Sequence, residues 1–518
     1  MSRSARAAAM ILGGLPLAEE SSPSDLSLVE SYASAGIGAF LMPGFLLRQG
    51  ERLKSLTDAV RAAAKEAGLG PVCIAIGGNR VPAFGLPPFP PTPTPLGLAS
   101  SHSTAAARRA GLLLGSALAA FGVDLVLAPR LDLASDPKDP FGALEGFGED
   151  GRLAGALGAA FSQGLGRRGV GACAGRFPGL GSVCRDPYES MPYIALPALR
   201  LERCEMRPFA RAVDSGIAAV LVGRVLVPSL EAERIPASAS ARIIEGRLRE
   251  SLGFRGVVIG DDVSPEEDAG RAAVLGALAG CDLCLYSRPE AALAAAAALE
   301  RAATTGELPL IRVASSKRRL AAFFERKAHA GRRSGEASRK RLKKAQRDIE
   351  DSVSVLRGDL ALGIGSSGEF SSALVLVFLP PTGAPDAPET EAVLAALREG
   401  LPGASVLGLG ADPGAEETRT LEAVLENPSR FAEAIVLTYD AHFRPAQEGL
   451  ARLLEERVPS FRVVAMRDPY DAAFFPGALG LGAAYGFSGA AAKAVAALLA
   501  GKAKARGGRP VEVIGLEV

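Results

Sequence analysis

A chain of 518 residues exceeds what one ordinary hydrophobic core buries, so two domains are expected. Its 58 Lys and Arg against 57 Asp and Glu leave a net charge of +1, which argues against a dedicated nucleic-acid binder. Six cysteines over this length do not make a disulfide framework, no apolar run is long enough to span a membrane, and the absence of Trp removes the best aromatic platform for a sugar face.

At the N-terminus, Arg3 and Arg6 precede an apolar stretch at 7–17 that imitates an export signal. The same residues supply a first strand, Met10-Ile11-Leu12, closed by Gly13-Gly14. The strand is the preferred reading, because the pattern that follows needs its opening element. A cytoplasmic protein is therefore expected, with export as the alternative.

Short apolar runs then alternate with amphipathic stretches to about residue 325. The runs lie at 37–42, 72–76, 123–127, 169–173, 218–222, 256–259 and 283–286, with helical patterns at 51–66 and 151–168 and a Pro-rich segment at 82–95. This alternation predicts a parallel sheet closed as a (β/α)8 TIM-like barrel over 1–325, with reactive groups on the loops after the strands. Cys281 and Cys284 have C-x-x-C spacing but sit in the apolar run 280–286. They read as buried strand positions, with side chains on opposite faces, rather than as a zinc or redox pair.

Residues 326–368 are expected to form a basic helical linker. Its cationic run begins upstream at Lys317, Arg318 and Arg319 and continues through Arg332, Arg333, Arg339, Lys340, Arg341, Lys343 and Lys344. Contact with a polyanion or an acidic surface is one reading, and a solvated helix between domains is the preferred one. From 369 to 518, strands at 373–379, 405–409, 435–438 and 463–466 alternate with helices at 389–399, 447–456 and 490–500, which predicts a Rossmann/flavodoxin-like α/β sandwich. Gly408-Leu409-Gly410 follows a strand without the rest of a dinucleotide fingerprint. No cofactor and no metal site are expected.

The run 169–173 leads into Ala174-Gly175-Arg176-Phe177-Pro178-Gly179-Leu180-Gly181, followed by Asp186-Pro187-Tyr188. Phe and Pro set one direction, while the glycines permit positive φ and close backbone approach. The segment resembles the signature loop of glycoside hydrolase family 3 in its β-N-acetylhexosaminidase branch, Lys-His-Phe-Pro-Gly-His-Gly and then Asp-Ser-His. Phe147-Gly148-Glu149-Asp150, Pro236-Ala237-Ser238-Ala239-Ser240, the segment 248–258, Asp261-Asp262-Val263-Ser264 and Ala279-Gly280-Cys281-Asp282 are similar to further barrel segments of that family. Arg467-Asp468-Pro469-Tyr470-Asp471, Ala484-Tyr485 and Gly508-Arg509-Pro510-Val511 are similar to its C-terminal domain. The resemblance thus covers both domains.

It implies Asp261 as the nucleophile of a retaining glycosidase, which needs a carboxylate nucleophile and a second group that first donates and then accepts a proton. The His that serves as acid/base in this branch is replaced by Tyr188, beside a retained Asp186. A phenol titrating near pH ~10 is poorly matched to proton shuttling at neutral pH. The Lys-His pair is Gly175-Arg176, an Arg has become Glu145, a His has become Arg224, and the segment holding a sugar-gripping carboxylate is shortened to Gly77-Gly78-Asn79-Arg80-Val81. Arg176, Arg224, Arg80 and Arg130 would then ring the strand ends, with Glu145 and Asp261 as counter-charges. Such a ring is either a salt-bridge network filling the pocket or a site for an anionic group. Two functions stay open: a divergent glycoside hydrolase acting on a carbohydrate, or a non-catalytic pseudo-glycosidase binding a glycan, an anionic small molecule or a protein partner.

Overall fold

The computed structural model describes residues 7–15, 24–77, 91–139, 143–183, 191–263, 268–330, 339–362, 370–384, 386–513 and 516. Eight short strands, β1 (Ile11–Gly14), β2 (Ala39–Pro43), β3 (Cys73–Gly77), β4 (Leu125–Val126), β5 (Gly171–Phe177), β6 (Ala219–Val222), β7 (Val257–Gly260) and β8 (Leu283–Tyr286), pair in sequence order. All pairings are parallel, and β1 returns to β8 through Ile11↔Cys284 and Leu12↔Leu285, which closes the barrel.

Side chains alternate along each strand, so every second residue enters the barrel. Leu12, Ala39, Leu41, Cys73, Ala75, Leu125, Cys173, Ala219, Leu221, Val257, Ile259, Leu283 and Leu285 form one buried cluster. Phe323, from the Leu310–Ala330 helix, joins that cluster at 5% exposure. A Cβ placed on Gly171 would stand 2.6 Å from the Phe323 ring, so Gly171 is the residue that admits this plug.

The same helix is pinned by charge. Asp282, fully buried just before β8, accepts hydrogen bonds from Arg249 Nη2 (2.9 Å), Arg319 Nη1 (2.9 Å), Ser316 Oγ (2.9 Å) and the Val258 amide (3.0 Å), and Arg312 Nη1 lies 3.4 Å away. A buried carboxylate is tolerated only with such partners.

The second sheet contains β9 (Ser354–Gly358), β10 (Ala373–Leu379), β11 (Ser405–Gly410), β12 (Glu433–Thr438), β13 (Ser460–Ala465) and β14 (Gly480–Ala483), in the order β11-β10-β12-β13-β14-β9. Its first five strands are parallel and β9 adds antiparallel to β14. Helices Thr390–Gly400 and Gly489–Leu499 bury Val393, Leu394 and Leu397, and Val495, Leu498 and Leu499. The near-continuous apolar strands β10 and β12 read as they should for a sheet covered on both faces.

The described parts of the span 326–368 do not group as one body. The Leu310–Ala330 helix that enters it belongs to the barrel unit, while helix Arg339–Glu350 and β9 belong to the second. Nor are the units contiguous, because described residues 91–106 and 143–149 group with those from 339 onward. The reason is pairing. Ser100 Oγ donates to Ser352 O (2.6 Å), and the Glu149 amide donates to Pro510 O (3.2 Å). Cys281 also departs from the opposite-face expectation. It precedes β8, and a Cβ on Gly276 would meet both Cys284 Sγ (3.2 Å) and Cys281 Sγ (4.0 Å).

Candidate active site

Parallel barrels expose the carboxyl ends of their strands, so residues just after a strand converge at one rim. Asp261 directly follows β7, is 4% exposed, and is fixed by its amide donating to Val222 O (2.9 Å) at the end of β6. Its two oxygens are both engaged: Oδ2 accepts from Arg176 Nε at 2.7 Å and Oδ1 from the Asp262 amide at 3.0 Å. Asp262 Oδ1 in turn accepts from the Ser287 amide (3.1 Å), after β8.

Arg176 lies within β5, which runs on to Phe177 and so carries the strand further than the apolar run suggested. The Gly175–Arg176 and Phe177–Pro178 peptides are cis. Phe177 is fully buried and stacks edge-on against Phe209, with centroids 5.4 Å apart, and Gly179 turns the chain at φ +123°. A Cβ at that φ is strained, which is why glycine stands there.

Asp132 organises this loop from beneath. It is 2% exposed; Oδ1 accepts from the amides of Arg176 (3.0 Å) and Leu180 (2.8 Å), and Oδ2 accepts from Arg130 Nε (2.9 Å). Arg130 Nη2 also reaches Asp139 Oδ2 at 2.6 Å. Arg130 is therefore shared between Asp132 and Asp139. The role of Asp132 was missed, although a carboxylate six residues past β4 was a visible signal.

Glu205 was also missed. It is 1% exposed, its Cβ would lie 3.0 Å from a Cβ on Gly179, and Oε1 touches Ser135 Oγ (3.5 Å) and Arg200 Nη2 (3.7 Å). Burial pushes its pKa up, the charge of Arg200 opposing this, and Oε2 has no hydrogen-bond partner among the described residues.

Of the other expected site residues, Arg224 follows β6 at 8% exposure, with Nη1 3.8 Å from Met191 Sδ. Glu145 ends a short 3₁₀ turn that groups with the second unit. Arg80, Asp186 and Tyr188 lie outside the described residues. Among the described residues no group of three or more His, Cys, Asp or Glu side chains could hold a metal ion, and no helix is long and apolar enough to cross a membrane.

A second buried polar cluster follows β10, β12 and β13. Arg467 Nη1 donates to Asp386 (2.5 Å) and Nε to Asp440 (3.0 Å), while its guanidinium lies 5.0 Å from the Tyr439 ring centroid. His442 Nδ1 meets Asp471 Oδ1 at 2.7 Å, and Thr438 Oγ1 donates to Asp471 Oδ2 at 2.6 Å. Asp468 Oδ2 lies 3.8 Å from His442 Nε2. Burial, then the charge of Asp440, pushes Asp468 up to about 7. Burial alone would lower His442, but Asp471, Asp468 and Asp440 more than offset this and raise it.

An acidic side chain at the end of the seventh barrel strand, facing an Arg-Phe-Pro-Gly loop at the end of the fifth, agrees with the match of residues 26–323 to the glycosyl hydrolase family 3 N-terminal domain. The chain belongs to glycosyl hydrolase family 3. A β-hexosaminidase of Bordetella pertussis (strain Tohama I) is 36% identical over an alignment of 257 residues that covers 46% of this chain and 70% of that protein. A β-hexosaminidase of Xanthomonas oryzae pv. oryzae is 32% identical over 249 residues, 46% and 73% of the two. Among solved structures, a family 3 β-N-acetylglucosaminidase from Paenibacillus sp. FPU-7 superposes with a TM-score of 0.86 at 25% identity, covering 100% of both chains. A β-glucosidase from Listeria innocua shares the fold, with a TM-score of 0.76 at 17% identity over 99% of this chain and 75% of that one. Within the family 3 barrel, the fold brings two of the expected site residues, Asp261 and Arg176, into contact.

Proposed function

We propose that this family 3 chain is a glycoside hydrolase acting with retention on β-linked N-acetylhexosaminides, with Asp261 as nucleophile. The observation that carries the reading is the position of Asp261, a buried carboxylate held by its own backbone at the carboxyl end of β7. The β-hexosaminidase relatives support the choice of sugar. In this reading an Asp261 oxygen attacks the anomeric carbon while an acid protonates the leaving oxygen, giving a glycosyl ester that water then opens. Arg176 turns from Oδ2 to an electronegative group of the arriving sugar, which frees the oxygen that attacks. Tyr188 stands in the sequence where the family resemblance has its acid/base His, so the identity of the proton donor is the part of this reading that activity assays of Tyr188→Phe address.

A second reading has one specific observation in its favour. With Arg176 on Oδ2 and Asp262 on Oδ1, the carboxylate is already satisfied, as in a site that binds a glycan or an anion without turnover. Hydrolysis of aryl β-N-acetylglucosaminide and aryl β-glucoside by wild type and Asp261→Asn separates the two. The hydrolase reading expects the variant to lose on the order of a thousandfold or more in kcat/KM. Equal, background-level rates for both proteins end it for these sugars.

A further inference from the structure

Helix Arg339–Glu350 of the second unit carries six cations, Arg339, Lys340, Arg341, Lys343, Lys344 and Arg347, every one exposed. Among the described residues none of the six is ion paired. The contrast with the rest of the chain is sharp, since Arg130, Arg176, Arg249, Arg312, Arg319 and Arg467 each hold a carboxylate.

Helical geometry turns this composition into a shape. At about 100° and 1.5 Å per residue, Arg339, Lys340, Lys343, Lys344 and Arg347 fall within an arc of about 140° and a length of about 12 Å. The opposite side carries the buried residues Ala345, Asp348 and Ile349, and Gln346 Nε2 donates to Ala490 O at 3.4 Å. The helix is therefore anchored on one side and cationic on the other.

The stripe's chemistry narrows its occupant. The helix has no aromatic residue on which bases could stack and exposes no large apolar side chain that could enter a bilayer. What remains is a narrow line of charges suited to a linear polymer. We propose that this helix docks a linear anionic polysaccharide through Arg339, Lys340, Lys343, Lys344 and Arg347. The choice of a polysaccharide rests on the glycoside hydrolase reading, whereas the stripe does not.

The test uses the full chain and polygalacturonate as probe. Wild type is expected to bind at 50 mM salt, with log affinity falling against log salt at a slope of about 4, near 0.7–0.9 per neutralised charge. A Lys340→Gln, Lys343→Gln, Lys344→Gln variant, altered only at exposed positions, should keep its unfolding midpoint, lose about 2–3 of that slope and bind at least about tenfold more weakly. Unchanged binding in the variant overturns the proposal. So does tighter binding of wild type to duplex DNA or to phosphatidylserine vesicles than to polygalacturonate at equal salt. Asp261→Asn separates this proposal from the catalytic reading: it should bind the polymer as wild type does, whatever its activity.

Discussion

Arg176 and Asp261 meet at the carboxyl ends of β5 and β7, Nε to Oδ2 at 2.7 Å, with side chains 16% and 5% exposed. Truncating one partner of such a pair strands the other charge. Arg176→Ala should lower unfolding free energy by about 3 kcal/mol, and Arg176→Ala with Asp261→Ala should recover most of the loss. Chemical denaturation of the four proteins in that double-mutant cycle checks this. A coupling below about 0.5 kcal/mol would mean that the pair is mere proximity.

At the other end of the barrel, Asp282 gathers Arg249, Arg312 and Arg319. Asp282→Asn removes the charge that all three share and should cost about 3–5 kcal/mol. Arg319→Ala, which removes a side chain that is 25% exposed, should cost less than half as much. The ranking is the test, and a larger loss from Arg319→Ala than from Asp282→Asn would refute the shared-anchor account.

Phe323 fills the bottom of the barrel against Gly171. Phe323→Ala should destabilise by about 3–5 kcal/mol through lost burial and the cavity left behind, and Phe323→Leu by clearly less. Urea midpoints that do not follow the order wild type, Leu, Ala would show that the helix, rather than the ring, closes the barrel.

Asp468 gives the second unit a pH dependence of defined sign. Its folded-state value of about 7 lies above the ordinary 3.8, so the folded chain holds a proton that the unfolded chain releases. Stability from this group is therefore greatest at low pH and falls as pH rises toward and through about 7. His442, also raised, acts in the same direction: its contribution is present below its ordinary value of 6.5 and lost above its folded one. Asp440, Asp471 and Arg467 are the other charged groups that face the pair. Asp468→Asn should flatten the fall between pH 5 and pH 8 and gain on the order of 2 kcal/mol at pH 8. Thermal unfolding across that range decides it, and parallel curves for both proteins would exclude Asp468 as the source.

Much of the barrel was legible because strand formation is a local matter. The apolar runs at 218–222 and 283–286 coincide with β6 and β8 to within a residue, and 373–379 coincides with β10. β14 was not legible, since Gly480–Ala483 is short and half glycine, and β9 was hidden in a basic stretch whose strand exists only by pairing with β14. In the site, Asp261 and the Phe-Pro-Gly turn were readable from residue order, whereas Asp132 and Glu205 gain their roles from what folds over them.

The order of residues by itself determined the alternation that makes a barrel and a sandwich, the turn at Phe177-Pro178-Gly179, and a carboxylate at position 261 just past a strand. Each depends on side-chain period and backbone freedom over a few residues. Only the tertiary structure decided which charges meet. Arg176 and Asp261 are 85 residues apart, and Glu145, adjacent to the same motifs in the chain, groups with the other unit. A Coulomb interaction depends on distance and burial, and closure of the barrel sets both.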